Sequence, residues 1–192
     1  MPTATGITSV ADLIARAKAN PGAINYGVGD PSTRLAAETF AKMAGVKLTP
    51  IQYKGGSEVT RAMLSGDIQL GVVGAVSGLP FVKSGQFRAL AIGGKRRASV
   101  LPDVPTMHEA GVLNYDASVW VGLSAPAGVS REIVNRINSD VAAILQQADV
   151  REKVLALGMD PVASSPEAYL EKIRTESALF EPLIKALGMK LD

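Results

Sequence analysis

The sequence predicts an α/β fold built on a doubly wound parallel sheet, and three observations carry that prediction. Between Thr8 and Gly94, strand-like apolar runs and helix-patterned segments alternate in strict order. The run "DIQLGVVGA" (67–75) is almost continuously apolar, as a strand covered on both faces must be. Three strand-to-helix turns are rich in glycine, "GVGDPST", "YKGGSE" and "VVGAVSG".

The elements follow in chain order. "SVADLIARAKANPG" sets Val10, Leu13, Ile14 and Ala17 at helical spacing and stops at Asn-Pro-Gly. "AINYGVG" reads as a short strand. Asp30 and Pro31 then suit an N-cap and first-turn proline, and Leu35, Ala36, Thr39, Phe40 and Met43 share one face before Gly45. "VKLTPIQY" is an edge strand, because Pro50 has no N–H for a ladder. A helix opens after Gly55 and Gly56, turns Val59, Ala62 and Met63 inward, and ends at Gly66. The strand 67–75, a short helix or turn over "VSGLPFVKSG", and a buried strand "QFRALAIGG" complete the alternation.

"KRRASVLPDVPTMHEAGVLNYD" breaks the rhythm, with one turn of helix over Val104 to Ala110. "ASVWVGLSAPAG" reads as a strand ending in a proline-glycine turn. The last third is helical: Ser130 caps a helix with Ile133, Val134, Ile137, Val141, Ile144 and Leu145 on one inward stripe. "ADVREKVLALG" is a second helix and "MDPVAS" a short strand. A long final helix faces Tyr169, Leu170, Ile173, Phe180, Leu183, Ile184 and Leu187 inward. The composition shifts near residues 112–120, which predicts an α/β lobe over 1–118 and a helix-rich portion over 119–192. That second portion holds one or two strands, too few for a sheet of its own.

Composition excludes several classes of function. The chain has 192 residues, 47% of them hydrophobic, and a net charge of +2, enough for one large domain or two small lobes with a real core. The densest basic cluster is Lys95, Arg96 and Arg97, which reads as a solvated loop, so no nucleic-acid partner is expected. The absence of cysteine removes disulfides, thiolate catalysis and cysteine-ligated zinc. No apolar run approaches a membrane span, and "MPTATGITSVADL" lacks the pattern of a signal peptide.

Catalytic constellations are missing as well. His108 is the single histidine and reads as an exposed helical residue beside Glu109, and one histidine without cysteine makes a zinc site improbable. There is no G-x-S-x-G, Walker or H-E-x-x-H motif. "GVGDPS" supplies two glycines of the dinucleotide fingerprint but has Ser32 at the third position, and no acidic residue follows the next strand. No metal or cofactor is therefore expected. A small α/β enzyme using Asp30 or Lys54 as acid or base is a rival reading, but the sequence nominates no partner group.

The three glycine-rich turns remain. In an open α/β sheet they lie at the carboxyl ends of the strands, where ligands bind. Helix N-termini there favour a carboxylate by roughly 0.3–2 kcal/mol each. The competing explanation is that the glycines only let helices pack closely on strands. Asp30 complicates the first turn, since it can take the N–H groups of Ser32 or Thr33 for itself and repel a carboxylate. Arg34 restores positive charge or pairs with Glu38 at i, i+4. The turn thus suits a ligand bearing an amine or hydroxyl, or binds nothing.

Several stretches resemble one family. "YKGGSEVTRAMLSGDIQL", "INYGVGDPSTRLAAETF" and above all "SGQFRALAIGGKRRASVLPDVPTMHEAGVLNYDASVWVGLSAPAGV" are similar to the substrate-binding proteins of tripartite tricarboxylate transporters, the Bordetella uptake gene family. The resemblance implies a two-lobed, Venus-flytrap periplasmic receptor that closes on a small carboxylate or amino-acid-like ligand and delivers it to membrane transporter subunits, without catalysis. Residues 7 to about 116 resemble the second lobe and 119–192 the C-terminal part of the first. The N-terminal part of the first lobe has no counterpart in this chain, which leads to the expectation of a truncated receptor and of a homodimer covering the missing half. The rival expectation is a ligand-silent truncated homologue folded as an interlocked dimer. The candidate ligand-binding residues are Gly29, Asp30, Ser32 and Thr33 at the first turn, Tyr53, Lys54 and Gly55 at the second, and Ala75, Ser77 and Gly78 at the third. Trp120 walls the cleft or lies in the core.

Overall fold

The structure is a computed structural model that describes residues 1–157 and 159–188, the side chains of residues 75–77 excepted. The chain forms two compact units, Met1–Val119 and a second that begins at Trp120.

The first unit contains α1 (Val10–Ala19), β1 (Asn25–Val28), α2 (Pro31–Ala44), β2 (Thr49–Gln52), α3 (Gly56–Ser65), β3 (Leu70–Gly71) and α4 (Ala75–Lys83). The three strands are parallel in the order β2-β1-β3, with Asn25 opposite Thr49 and Tyr26 opposite Leu70. Alternation along β1 sorts its side chains. Tyr26 and Val28 join the cluster that holds Val10, Leu13 and Ala17 of α1 and Ala37 and Phe40 of α2. On the other face, α3 contributes Val59, Ala62 and Met63 to a second cluster with Ile68 and Phe87. Glycine is needed on that face. A Cβ on Gly27 would lie 2.6 Å from Val59 Cγ1, and one on Gly71 would lie 2.6 Å from Met63 Sδ. Helices thus cover both faces, as in a doubly wound sheet, and β2 with Pro50 is an edge strand, as is β3.

The sheet is smaller than the sequence predicts. Of the run 67–75 only Leu70–Gly71 pairs. The segment "QFRALAIGG" forms no ladder with β3, because its backbone groups are engaged elsewhere. Arg88 N–H donates to Met1 O (2.7 Å), Thr3 N–H to Gln86 O (3.1 Å) and Ile92 N–H to Pro105 O (2.8 Å). Phe87 and Ile92 survive only as isolated bridges to Pro2 and Thr106. The expected helical turn over Val104–Ala110 is present as one turn, Ala110 N–H donating to Thr106 O (2.9 Å), and it does not extend into a longer helix. Glu109 accepts from Thr106 N–H (2.7 Å) and from Arg97 Nε (2.9 Å), while Thr106 Oγ1 accepts from Glu109 N–H (3.1 Å).

The second unit holds α5 (Arg131–Gln146), α6 (Ala148–Ala156) and α7 (Pro166–Ala186). Neither "ASVWVGLSAPAG" nor "MDPVAS" is a strand, since no described segment offers either a ladder. Residues 120–124 lie on α7. Trp120 packs edge-on to Tyr169 with centroids 5.2 Å apart and donates from Nε1 to Glu176 (2.7 Å), while a Cβ on Gly122 would strike the Tyr169 ring. Val121 and Leu123 are 85% and 72% exposed. The inward stripe expected on α5 is covered in part: Val134, Val141 and Leu145 are half-buried, whereas Ile133, Ile137 and Ile144 are 53%, 47% and 49% exposed. Leu170 of α7 is exposed too, and none of the three helices has a buried residue among those described. α6 and α7 pack against α5, yet they leave the isoleucines of its stripe in the open.

No helix among the described residues is long and apolar enough to cross a membrane.

Candidate ligand-binding site

α2 follows β1 on one face of the sheet and α4 follows β3 on the face of α3, so the two connections part between the carboxyl ends of β1 and β3. Three turns leave this end of the sheet.

The first turn carries Gly29, Asp30, Ser32 and Thr33. Asp30 caps α2: its Oδ1 accepts from Thr33 N–H (2.9 Å) and from Ser32 Oγ (2.5 Å), and Thr33 Oγ1 accepts from Asp30 N–H (3.3 Å). This reciprocal capping box takes the donors that a ligand carboxylate would need. Partial burial pushes the Asp30 carboxyl up, but the bonds from Ser32 and Thr33 outweigh it and hold the group below the usual aspartate value. Asp30 is therefore a fixed anion at the end of β1.

The second turn carries Tyr53, Lys54 and Gly55. Its backbone presses on the first, since a Cβ on Gly29 would lie 2.9 Å from Gly55 C and from Gly56 N. Tyr53 donates its N–H to Val28 O (2.9 Å) and packs on the α3 cluster. The N-cap of α3 is Gly55, which has no side chain to offer. Glu58, which the sequence reading passed over, reaches back from the first turn of α3 and accepts from Lys54 N–H (3.0 Å), which ties the loop before the helix to it. An acid three residues past Gly55 is the spacing that could have signalled it.

The third turn runs from the end of β3 to Gly74, the N-cap of α4. Ala75, Ser77 and Gly78 lie in the first helical turn rather than in the loop. The side chains of Ala75 and Ser77 fall outside the described residues, and Gly78 is buried where a Cβ would lie 2.9 Å from Val73 Cγ2. The first turn of α4 contains no acid. Of the three helix starts, α2 is capped by Asp30, α3 carries Glu58 in its first turn, and α4 has no acid there.

Behind the first turn, Glu38 accepts from the Tyr26 hydroxyl (2.6 Å), and the pair with Arg34, one of the two roles the spacing allowed that arginine, is not among the ion pairs of the described residues. Burial, then Glu38, raises the Tyr26 phenol well above its ordinary value. Arg34 Nε is buried without a hydrogen-bond partner among the described residues. Trp120 belongs to the second unit. Two concavities of about 340 and 390 Å³ lie elsewhere, one on α5 and one between α1, the far end of α2 and residues 111–113, and no turn residue lines either. No group of three metal-ligating side chains occurs among the described residues.

Comparison with known proteins decides the family. The family model described as tripartite tricarboxylate transporter family receptor matches residues 1–189. The chain belongs to this receptor family. Among curated relatives, the "UPF0065 protein in gbd 5'region" of Cupriavidus necator is 31% identical over 189 residues, covering 95% of this chain and 57% of that protein. BugT of Bordetella pertussis is 30% identical over 187 residues, with 96% and 57% covered. Among solved structures, Rpa4515 of R. palustris with adipate superposes with a TM-score of 0.82 at 33% identity, over 95% of this chain and 62% of that one. The fold is thus that of the family's periplasmic binding proteins, and the chain spans somewhat over half the length of the relatives it matches.

Proposed function

We propose that this chain binds a small carboxylate as a receptor of the tripartite tricarboxylate type, without turning it over. The observation that carries this reading is the switch point between β1 and β3, where the start of α4 has neither a side-chain cap nor an acid in its first turn. Family membership and the adipate in the related R. palustris protein support it. On this reading residues 1–118 are the second lobe of a Venus flytrap and 119–192 the C-terminal part of the first. The candidate residues of the first two turns, with the start of α4, form one side of the site. The receptor works in the periplasm and delivers its ligand to membrane transporter subunits.

The test is thermal unfolding of the full chain against a panel of small carboxylates. An acid present at 100 times its dissociation constant adds about 2.7 kcal/mol of stability. A panel that leaves the transition unmoved at millimolar concentrations refutes the proposal.

A second proposal concerns assembly. The exposed stripe of Ile133, Ile137 and Ile144 on α5 favours a homodimer in which a second copy covers it. Light scattering that returns a monomer mass at tens of micromolar protein refutes it.

A further inference from the structure

We infer that residues 120–124 form the seam of a homodimer, pairing antiparallel with the same residues of a second copy of this chain. The inference rests on the homodimer proposed above and adds to it the segment that joins the copies.

This segment is a strand without a sheet. Its even-numbered residues all meet α7. Trp120 packs edge-on to Tyr169 and donates to Glu176, a Cβ on Gly122 would lie 2.5 Å from the Tyr169 ring, and Ser124 Oγ lies 3.4 Å from the Tyr169 hydroxyl. Contact at every second residue is the period of extended chain. The odd-numbered Val121 and Leu123 stand in the open. The backbone is equally free: among the described residues, no N–H or C=O from Trp120 to Ser124 takes part in a backbone hydrogen bond. An extended run with its edges unpaired is a template for another strand.

Charge, symmetry and area make a second copy the partner. From Ala117 to Ser130 the chain carries no charged residue, so nothing along the seam repels an identical strand and nothing selects a charged one. Antiparallel pairing of a segment with itself is two-fold symmetric, the closed arrangement in which one patch serves both copies. With the axis at Gly122, Val121 of each copy lies opposite Leu123 of the other, an apolar cross-strand pair made twice. The chain exposes 11490 Å², whereas two separately compact units of its size would expose roughly 10,400 Å². The excess, on the order of 1,000 Å², is close to the roughly 800 Å² that each partner contributes to a stable interface. The second unit needs such a partner, since no described residue from Trp120 onward is buried.

The experiment follows the full chain by light scattering at low and high micromolar concentration, with hydrogen exchange of its amides at both. Val121 and Leu123 are replaced together, by lysine in one variant and by glutamate in another. Both side chains face water in the single chain, so neither pair of substitutions removes a packing contact, and the exchange readout on the wild type does not depend on either variant. The expected wild type has twice the chain mass at high concentration, where alternate amides of residues 120–124 exchange at least tenfold more slowly than at low concentration. Each variant by itself should associate at least tenfold more weakly, because like charges then stand opposite each other, and an equimolar mixture of the two should recover the dimer. A dimer whose 120–124 amides exchange alike at both concentrations, a charged variant that dimerises by itself like the wild type, or a mixture that does not recombine overturns the seam and leaves the homodimer standing. A wild type of single-chain mass at both concentrations overturns both.

Discussion

Gly29→Ala tests whether the first two turns are built against each other. A Cβ at this position would lie 2.9 Å from Gly55 C and from Gly56 N, both backbone atoms. Carbon contacts are comfortable at about 3.5–4.0 Å, so the turns must separate by roughly half an ångström or more. Backbone cannot swing away as a side-chain tip can, and overpacking of this kind costs about 1–3 kcal/mol. Alanine also stiffens the unfolded chain, which returns about 0.4–1 kcal/mol. The net loss is then on the order of 0.5–2.5 kcal/mol, or roughly 2–10 °C in the midpoint for a unit of this size. Gly55→Ala is the matched control. A Cβ there meets nothing within 4 Å, and the backbone is ordinary extended chain at φ 172°. Thermal unfolding by circular dichroism should show a clear drop for Gly29→Ala and a change within about 3 °C for Gly55→Ala. The reasoning fails if the two variants melt together, or if Gly29→Ala melts with the wild type.

Two further predictions concern titration and burial. The Tyr115 hydroxyl donates to Ala36 O at 2.9 Å in the core, and Tyr115→Phe should cost about 1 kcal/mol by chemical denaturation. Burial, then Asp116, pushes the Tyr115 phenol up to about 12, so its contribution is full below pH 10 and lost as pH rises from 10 through 12; Tyr115→Phe should flatten that alkaline decline. Glu109 is held at about 2 against an ordinary 4.5, chiefly by the Arg97 guanidinium and then by Thr106 N–H. Its contribution is present above pH 4.5 and lost as pH falls toward 2, so the wild-type midpoint should decline more steeply than that of Glu109→Gln across this window.

Local signals and long-range partners divide what the sequence shows from what it hides. The helices of the first unit were legible because their ends are written locally. Gly45 and Gly66 close α2 and α3 in left-handed backbone, and Asp30 with Pro31 opens α2. The self-capping of Asp30 was legible for the same reason. Strands are different, because a strand is a property of a pair. Residues 86–94 have the composition of a buried strand, yet their backbone bonds go to the N-terminal segment, to Phe81 and to residues 105, 107 and 117. Glu38 sits at helical spacing from Arg34 but is taken by Tyr26 from the neighbouring strand, a partner that spacing along a helix does not reveal. On α5 the periodicity showed a face to be covered, not what covers it. The three glycine turns also proved unlike one another. Gly27 and Gly78 serve packing, Gly29 serves the approach of two turns, and Gly55 has open space around it.

The central claim is tested most directly by following the backbone amides of the ¹⁵N-labelled full chain while adipate and malate are added. A carboxylate receptor built on this switch point shows saturable shifts at Gly29 to Thr33 and at the start of α4, from Gly74 to Gly78, with one dissociation constant fitting both. Shifts that never saturate contradict it, as do shifts confined to the concavity beside Ile14, Lys18 and Leu113.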